Sequence, residues 1–174
     1  QMFVHAEKLI DDKTNLRDGD VSVFLRLGSD SKSNYYEYEV PLSLTEPGNY
    51  STYNAQDQEA VWPQSNMFDF PLSLFTDLKL ERNAKKRMDN STVTFQTRYS
   101  SYDIVGNPSL SDVRTMMIGV RNNSNAAKDI VVWVNEMRLT DFDQSGGWAA
   151  KANVNLGLSD IATLNIAGHV ETVG

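Results

Sequence analysis

Two histidines, His5 and His169, are the only imidazoles in the 174 residues, and they stand near opposite ends of the chain. Neither falls in a nucleophile or metal motif, so both read as histidines on strand faces. Carboxylates are plentiful, but a glycosidase pair needs two of them facing one cleft, and spacing along the chain does not supply that. The sequence reads as non-enzymatic. Oxygen donors alternate in Asp141-Phe142-Asp143-Gln144-Ser145-Gly146, which matches the start of a calcium loop with Asp141, Asp143 and Ser145 as candidate ligands. The twelfth position of such a loop is Ala152, where a bidentate Glu is wanted. A polar linker with a glycine-containing hinge at 144–147 is the stronger reading, and no cofactor is expected.

Aromatic rings offer a second chemistry, because each presents a flat apolar face and, in Tyr and Trp, a polar edge. Tyr35, Tyr36 and Tyr38 read as strand residues that pack inside a sandwich. Tyr50, Tyr53 and Trp62 fall in the polar stretch 45–64, read as a long loop, and are the candidates for ligand or cargo contact. Asn49, Asn90 and Asn122 each open an acceptor sequon, which matters only if the source glycosylates.

A net charge of -7 and a pI near 4.8 repel a phosphate backbone, so nucleic acid is excluded as a general partner. The one basic run, Arg82, Lys85, Lys86 and Arg87, reads as a solvated helix end or loop, with an anionic-lipid or phosphate site as the alternative. The absence of cysteine removes disulfides, thiolate zinc sites and thiol nucleophiles. Hydrophobic residues at 40% and charged ones at 22% suit a folded domain with some appendage. No apolar run reaches the length of a membrane-spanning helix. The chain opens and closes in strand-like text and reads as part of something longer.

The elements that must hold these residues are mostly strands. In VSVFLRL, Val21, Val23, Leu25 and Leu27 share one face, with Ser22, Arg26 and an odd Phe24 on the other. In 34–44, Tyr36, Tyr38, Val40 and Leu42 oppose Tyr35, Glu37 and Glu39, and Pro41 predicts an edge or a bend. The stretch 69–82 fits both period two and a helical face through Leu74, Phe75 and Leu78; one short helix is favoured. Strands follow at 92–99, 113–121 and 130–139. The expected fold is mainly β: an antiparallel β-sandwich with at most one short helix.

The tail alternates differently. Trp148, Ala150, Ala152, Val154, Leu156 and Leu158 lie on one face against Ala149, Lys151, Asn153, Asn155 and Gly157. After 159–162, a second run sets Leu164, Ile166, Gly168 and Val170 against Thr163, Asn165, Ala167, His169 and Glu171. Strands of about ten residues with one apolar side and short turns are the pattern of an outer-membrane β-barrel, although a soluble hairpin alternates too. Trp148 opens the apolar face where an aromatic girdle lies.

The blocks MFVHAE, VFLRLGSD, NYYEYEVPLSL, VWP, TDLKLERN, GNPSLSDVRTMMIGVRN, VWVNEMRLTDFD and GGWAAKANVNLGLSD together resemble the SprA/Sov family. These are very large outer-membrane proteins of Bacteroidetes that form the type IX secretion translocon and are linked to gliding motility. The resemblance implies a giant barrel that passes folded cargo, with soluble domains inserted between strands. Residues 1–143 are then an inserted β-sandwich domain, 144–147 a hinge, and 148–174 a barrel hairpin. It further implies contact with the rest of the barrel, secreted cargo, a PorV-type partner and outer-membrane lipid, and it brings no catalytic residues. VWVNEMRL also resembles the last strand of galactose-binding-like jelly rolls, which points to that type of sandwich. A carbohydrate-binding or adhesive surface module is the competing class. A periplasmic turn at 159–162 predicts an extracellular location for the domain before it.

Overall fold

The computed structural model describes residues 1–88, 96–99, 101–140, 149–158 and 162–171. They fall into two compact units, Gln1–Arg138 and Leu139–Gly174.

The first unit is mixed and mostly β. One antiparallel sheet has the order β5-β6-β3-β2-β7, built from β2 (Val21–Gly28), β3 (Tyr35–Pro41), β5 (Gln96–Tyr99), β6 (Tyr102–Val105) and β7 (Thr115–Asn122). The other has the order β4-β1-β8, from β1 (Met2–Lys8), β4 (Met67–Phe68) and β8 (Ile130–Val134). Period-two alternation turns Val21, Val23, Leu25 and Leu27 of β2 and Met2, Val4 and Ala6 of β1 into one buried cluster, joined by Tyr36, Val40, Leu42, Phe68 and Ile104. Val4, Ala6, Val23 and Leu25 have no exposed surface.

Among the described residues there are two α-helices, where the sequence leads one to expect at most one short helix. The first, α1 (Ala55–Val61), lies in the stretch read as loop; the second, α2 (Ser73–Met88), runs for 16 residues. Phe75, Leu78 and Arg82 form the buried face of α2, and Phe75 stacks on Tyr36 at 5.0 Å. That 3.6-period stripe overrides the period-two leucines, and Leu80 is left 63% exposed. The basic run becomes the last turn of α2, where Lys85, Lys86 and Arg87 meet the negative end of the helix dipole. Arg82 instead is buried and donates to the Gly106 carbonyl oxygen, and burial lowers its pKa. Gly106 has φ +67°, and a β-carbon there would meet Ser33 O at 1.9 Å, so this turn needs glycine.

Pro41 does not mark an edge. Its strand lies between β6 and β2, and Leu42 N donates to Val21 O while Glu39 N donates to Ser101 O. The alternation of those bonds directs the Pro41 nitrogen to the β6 side, beyond the start of β6 at Tyr102, so no ladder bond is lost.

The outer face of the large sheet is also closed over. Arg26 Nε donates to Glu37 at 2.6 Å and Arg121 Nη2 donates to the other Glu37 oxygen at 2.8 Å. Arg121 and Ser22 both donate to Glu39. The two guanidinium carbons each lie 4.8 Å from the centroid of the Phe24 ring, which explains the odd apolar residue on this face. Glu37 is 3% exposed and Phe24 7%. Phe24 pairs with Gly119 in register, and only a residue without a side chain leaves room for its ring.

The connection from β2 to β3 turns on Asp30, whose carboxylate accepts from the backbone N–H groups of Lys32, Ser33 and Asn34 and from the Asn34 amide. These bonds lower its pKa to about 2.

The second unit is a two-stranded hairpin, β9 (Ala149–Leu158) and β10 (Ala162–Glu171). Its antiparallel register pairs Ala150 with Val170, Ala152 with Gly168, Val154 with Ile166, Leu156 with Leu164 and Leu158 with Ala162. Directly opposed residues share a face, so the apolar positions of both strands fall on one side of the ribbon. The intervening pairs are Lys151 with His169, Asn153 with Ala167, Asn155 with Asn165 and Gly157 with Thr163.

Candidate functional site

The outer face of the small sheet carries Phe3, His5 and Glu7 of β1. Asn135 N donates to Phe3 O at 3.0 Å, and His5 pairs with Trp133 in the β1–β8 register. One aromatic row thus crosses two strands, and Trp133 is 60% exposed. The segment after β3 is laid against this face by polar contacts. Asn66, fully buried, accepts from Ser43 N at 2.7 Å and donates to Ser43 O at 2.8 Å. Thr45 donates to Ala60 O at 2.9 Å, and His5 Nδ1 lies 2.6 Å from Val61 O, a geometry that puts the proton on Nδ1.

Those contacts fix α1, which Asn54 caps by accepting from Gln56 N at 2.9 Å. The chain leaves the helix at Trp62, whose N–H donates to Gln58 O, and the following Pro63 stops further helix. Trp62 lies 5.6 Å from the His5 ring. Between α1 and the sheet runs a groove of about 590 Å³, lined by Phe3, Ala55, Gln58, Glu59, Trp62, Gln64 and Asn135. Two aromatic faces beside three amides and one carboxylate can hold an extended polar chain with flat apolar patches, by stacking and by paired hydrogen bonds. No general base, nucleophile and orienting group come together there.

Of the three ring residues expected to make contact, only Trp62 lines this groove. Tyr50 is 38% exposed and donates to Glu46 O at 2.6 Å, while Tyr53 is 98% exposed. Phe3, Trp133 and Asn135 were legible only as strand residues; the alternation of β1 against β8 is the signal that places them on one face. Asp141, Asp143, Ser145, the hinge at 144–147, Trp148 and the residues 159–161 of the expected turn lie outside the described residues. In the hairpin, Ala150 is exposed and Val170 is 54% exposed. Ala152, Val154, Leu156, Leu158, Leu164 and Ile166 take the register positions given above. Among the described residues no group of three or more His, Asp or Glu is arranged to hold a metal. No helix there is long and apolar enough to cross a membrane, which leaves strands open as a means of crossing.

One family model, SprA_N, described as a motility related/secretion protein, matches residues 1–174. No curated protein matches the chain.

Proposed function

This chain belongs to the SprA_N family of motility-related and secretion proteins, and from that premise we propose that it is a non-enzymatic segment of an outer-membrane protein-translocation channel. Residues 1–143 act as a cap, a pore lining or a surface that meets cargo and partners. Residues 144–147 are a hinge, and 148–174 belong to the wall of the barrel.

The observation that carries this reading is the register of the hairpin. It aligns the apolar positions of β9 and β10 on one side over ten paired residues, the length a tilted strand needs to span the hydrocarbon layer. Trp148, Ala150, Ala152, Val154, Leu156, Leu158, Leu164, Ile166 and Val170 then face lipid. The other side faces the channel interior or neighbouring segments of the same barrel. Secreted cargo and a PorV-type barrel are the partners in this account. The nested pairing of β1 with β8, β2 with β7 and β3 with β6 supports kinship of the first unit with jelly-roll sandwiches. In this reading the connection between β9 and β10 lies on the periplasmic side, which puts residues 1–143 outside the cell. No phosphate-binding loop is present in the sequence, so the segment works by shape and energy enters elsewhere.

The test is a pair of substitutions in the full-length protein. Leu156→Arg places a charge on the lipid side near mid-strand, at a cost of roughly 2–4 kcal/mol, and should deplete folded protein from the outer membrane. Asn155→Arg should leave that amount unchanged. Equal tolerance of both refutes a lipid-facing hairpin. Protease cleavage of residues 1–143 in intact cells is expected; protection until the envelope is broken would place them in the periplasm.

The groove at Trp62 favours a second reading, a carbohydrate-binding or adhesive module. Loss of glycan binding in Trp62→Ala, with secretion intact, is the result that supports it over the first.

A further inference from the structure

β7 is an end strand of the large sheet, with β2 its only neighbour among the described residues. Asn123 N donates to Asp20 O at 2.8 Å. Carried through the β2–β7 register, that bond makes Arg121 and Ser22, Gly119 and Phe24, and Met117 and Arg26 the hydrogen-bonded pairs. Met116, Ile118 and Val120, which alternate with them, therefore turn their N–H and C=O groups toward the open edge. The same three residues pair with Leu27, Leu25 and Val23, the row of β2 that fills the core. They stand on the core side of the sheet, yet they are 58%, 39% and 52% exposed. Among the described residues, outward backbone groups and uncovered core side chains thus coincide at three alternate positions of one strand.

Among the described residues the usual protections of an edge are missing. Residues 115–122 contain no proline and no lysine, and their pairing with β2 runs without a bulge. The one charge, Arg121, is tied to Glu37 and Glu39.

We propose that β7 is a receiving edge for an extended segment of another polypeptide, which adds as a sixth strand of the sheet. The edge states the chemistry of that segment. Apolar residues at every second position close the core over Met116, Ile118 and Val120. A carboxylate at its end meets Arg114, which is 73% exposed at its side chain and, among the described residues, paired with Asp112 across a surface contact of little strength. A second copy of this chain is a poor occupant. Antiparallel self-pairing about Ile118 sets Met116 against Val120 of the other copy and brings two acidic chains edge to edge. Each copy carries a net charge of -7.

The inference stands apart from the barrel reading, and its test uses the 174-residue chain with the blocked peptide EVTVTVE as probe. Amide hydrogen exchange at Met116, Ile118 and Val120 should slow at least tenfold with saturating peptide, while Met117 and Gly119, already bonded to β2, should not change. Ile118→Pro removes one outward N–H and no bond to β2, so it should weaken peptide binding at least tenfold with unfolding unaltered. A peptide N-methylated at alternate amides leaves the protein untouched and should also bind at least tenfold more weakly. The proposal is overturned if the three amides gain no protection, if the methylated peptide binds equally well, or if the same amides are protected without peptide by a concentration-dependent dimer.

Discussion

A single methyl group at residue 119 should unsettle the whole outer face of the large sheet. A β-carbon on Gly119 would lie 2.3 Å from Phe24 Cζ and 2.8 and 2.9 Å from the two Cε atoms. The ring cannot swing aside freely, because it is 7% exposed and held between Arg26 and Arg121, both anchored by Glu37. Overpacking of this kind costs about 1–3 kcal/mol, and a displaced ring forfeits roughly 0.5–1 kcal/mol of cation–π attraction. Against this, replacing Gly by Ala in extended backbone recovers about 0.4–1 kcal/mol from the unfolded chain. The net for Gly119→Ala is a loss of about 2 kcal/mol, or a fall in Tm of roughly 6–8 °C for a domain of this size. Calorimetry of the single variant and of Gly119→Ala combined with Phe24→Leu measures it, and the smaller side chain should recover part of the loss through a favourable coupling. A Tm equal to or above that of the parent in Gly119→Ala would refute the reasoning, since backbone entropy alone would then account for the site.

Three further outcomes are expected. Glu37→Gln removes the charge that joins Arg26 and Arg121 at a site 3% exposed, and urea unfolding should show a loss of about 3 kcal/mol. Asp30 has a folded pKa of about 2, below its ordinary value, so its contribution is complete above about pH 4 and fades as pH falls through 2. Asp30→Asn should flatten the stability profile between pH 4 and 2, and a profile identical to that of the parent would dismiss the Asp30 turn as a source of stability. Asn54→Ala should cost about 1 kcal/mol of α1 stability, read as faster amide exchange across residues 55–61.

Much of the fold is legible where one physical rule acts alone. The alternation of β2 and β3 names the core residues Val23, Leu25, Tyr36 and Val40 because each strand presents one side to the core. The hairpin pairs as its alternation requires. Local pattern fails where a second interaction decides. Helix α1 buries none of its residues, so it has no apolar stripe, and its evidence is a cap at Asn54 and the anchors at Thr45 and Asn66. In α2 a period-two run of leucines competes with Phe75, Leu78 and Arg82, and contact with Tyr36 settles the matter. Alternation puts Glu37 and Glu39 on the face of β3 opposite the core, yet both are buried beneath guanidinium groups contributed by β2 and β7. Of the candidate groove, Trp62 could be singled out from the sequence. Phe3 and Asn135 could not, because their meeting depends on the pairing of the first strand with the eighth, more than 130 residues away.

The central claim is that one side of the hairpin faces lipid. These 174 residues contain no cysteine, so once any cysteine elsewhere in the full-length protein is replaced, single cysteines placed in turn from residue 152 to 157 report their own surroundings. A membrane-impermeant maleimide applied to outer-membrane fragments should label positions 153, 155 and 157 and spare 152, 154 and 156. Labelling of all six positions alike, or of the opposite set, would contradict the account.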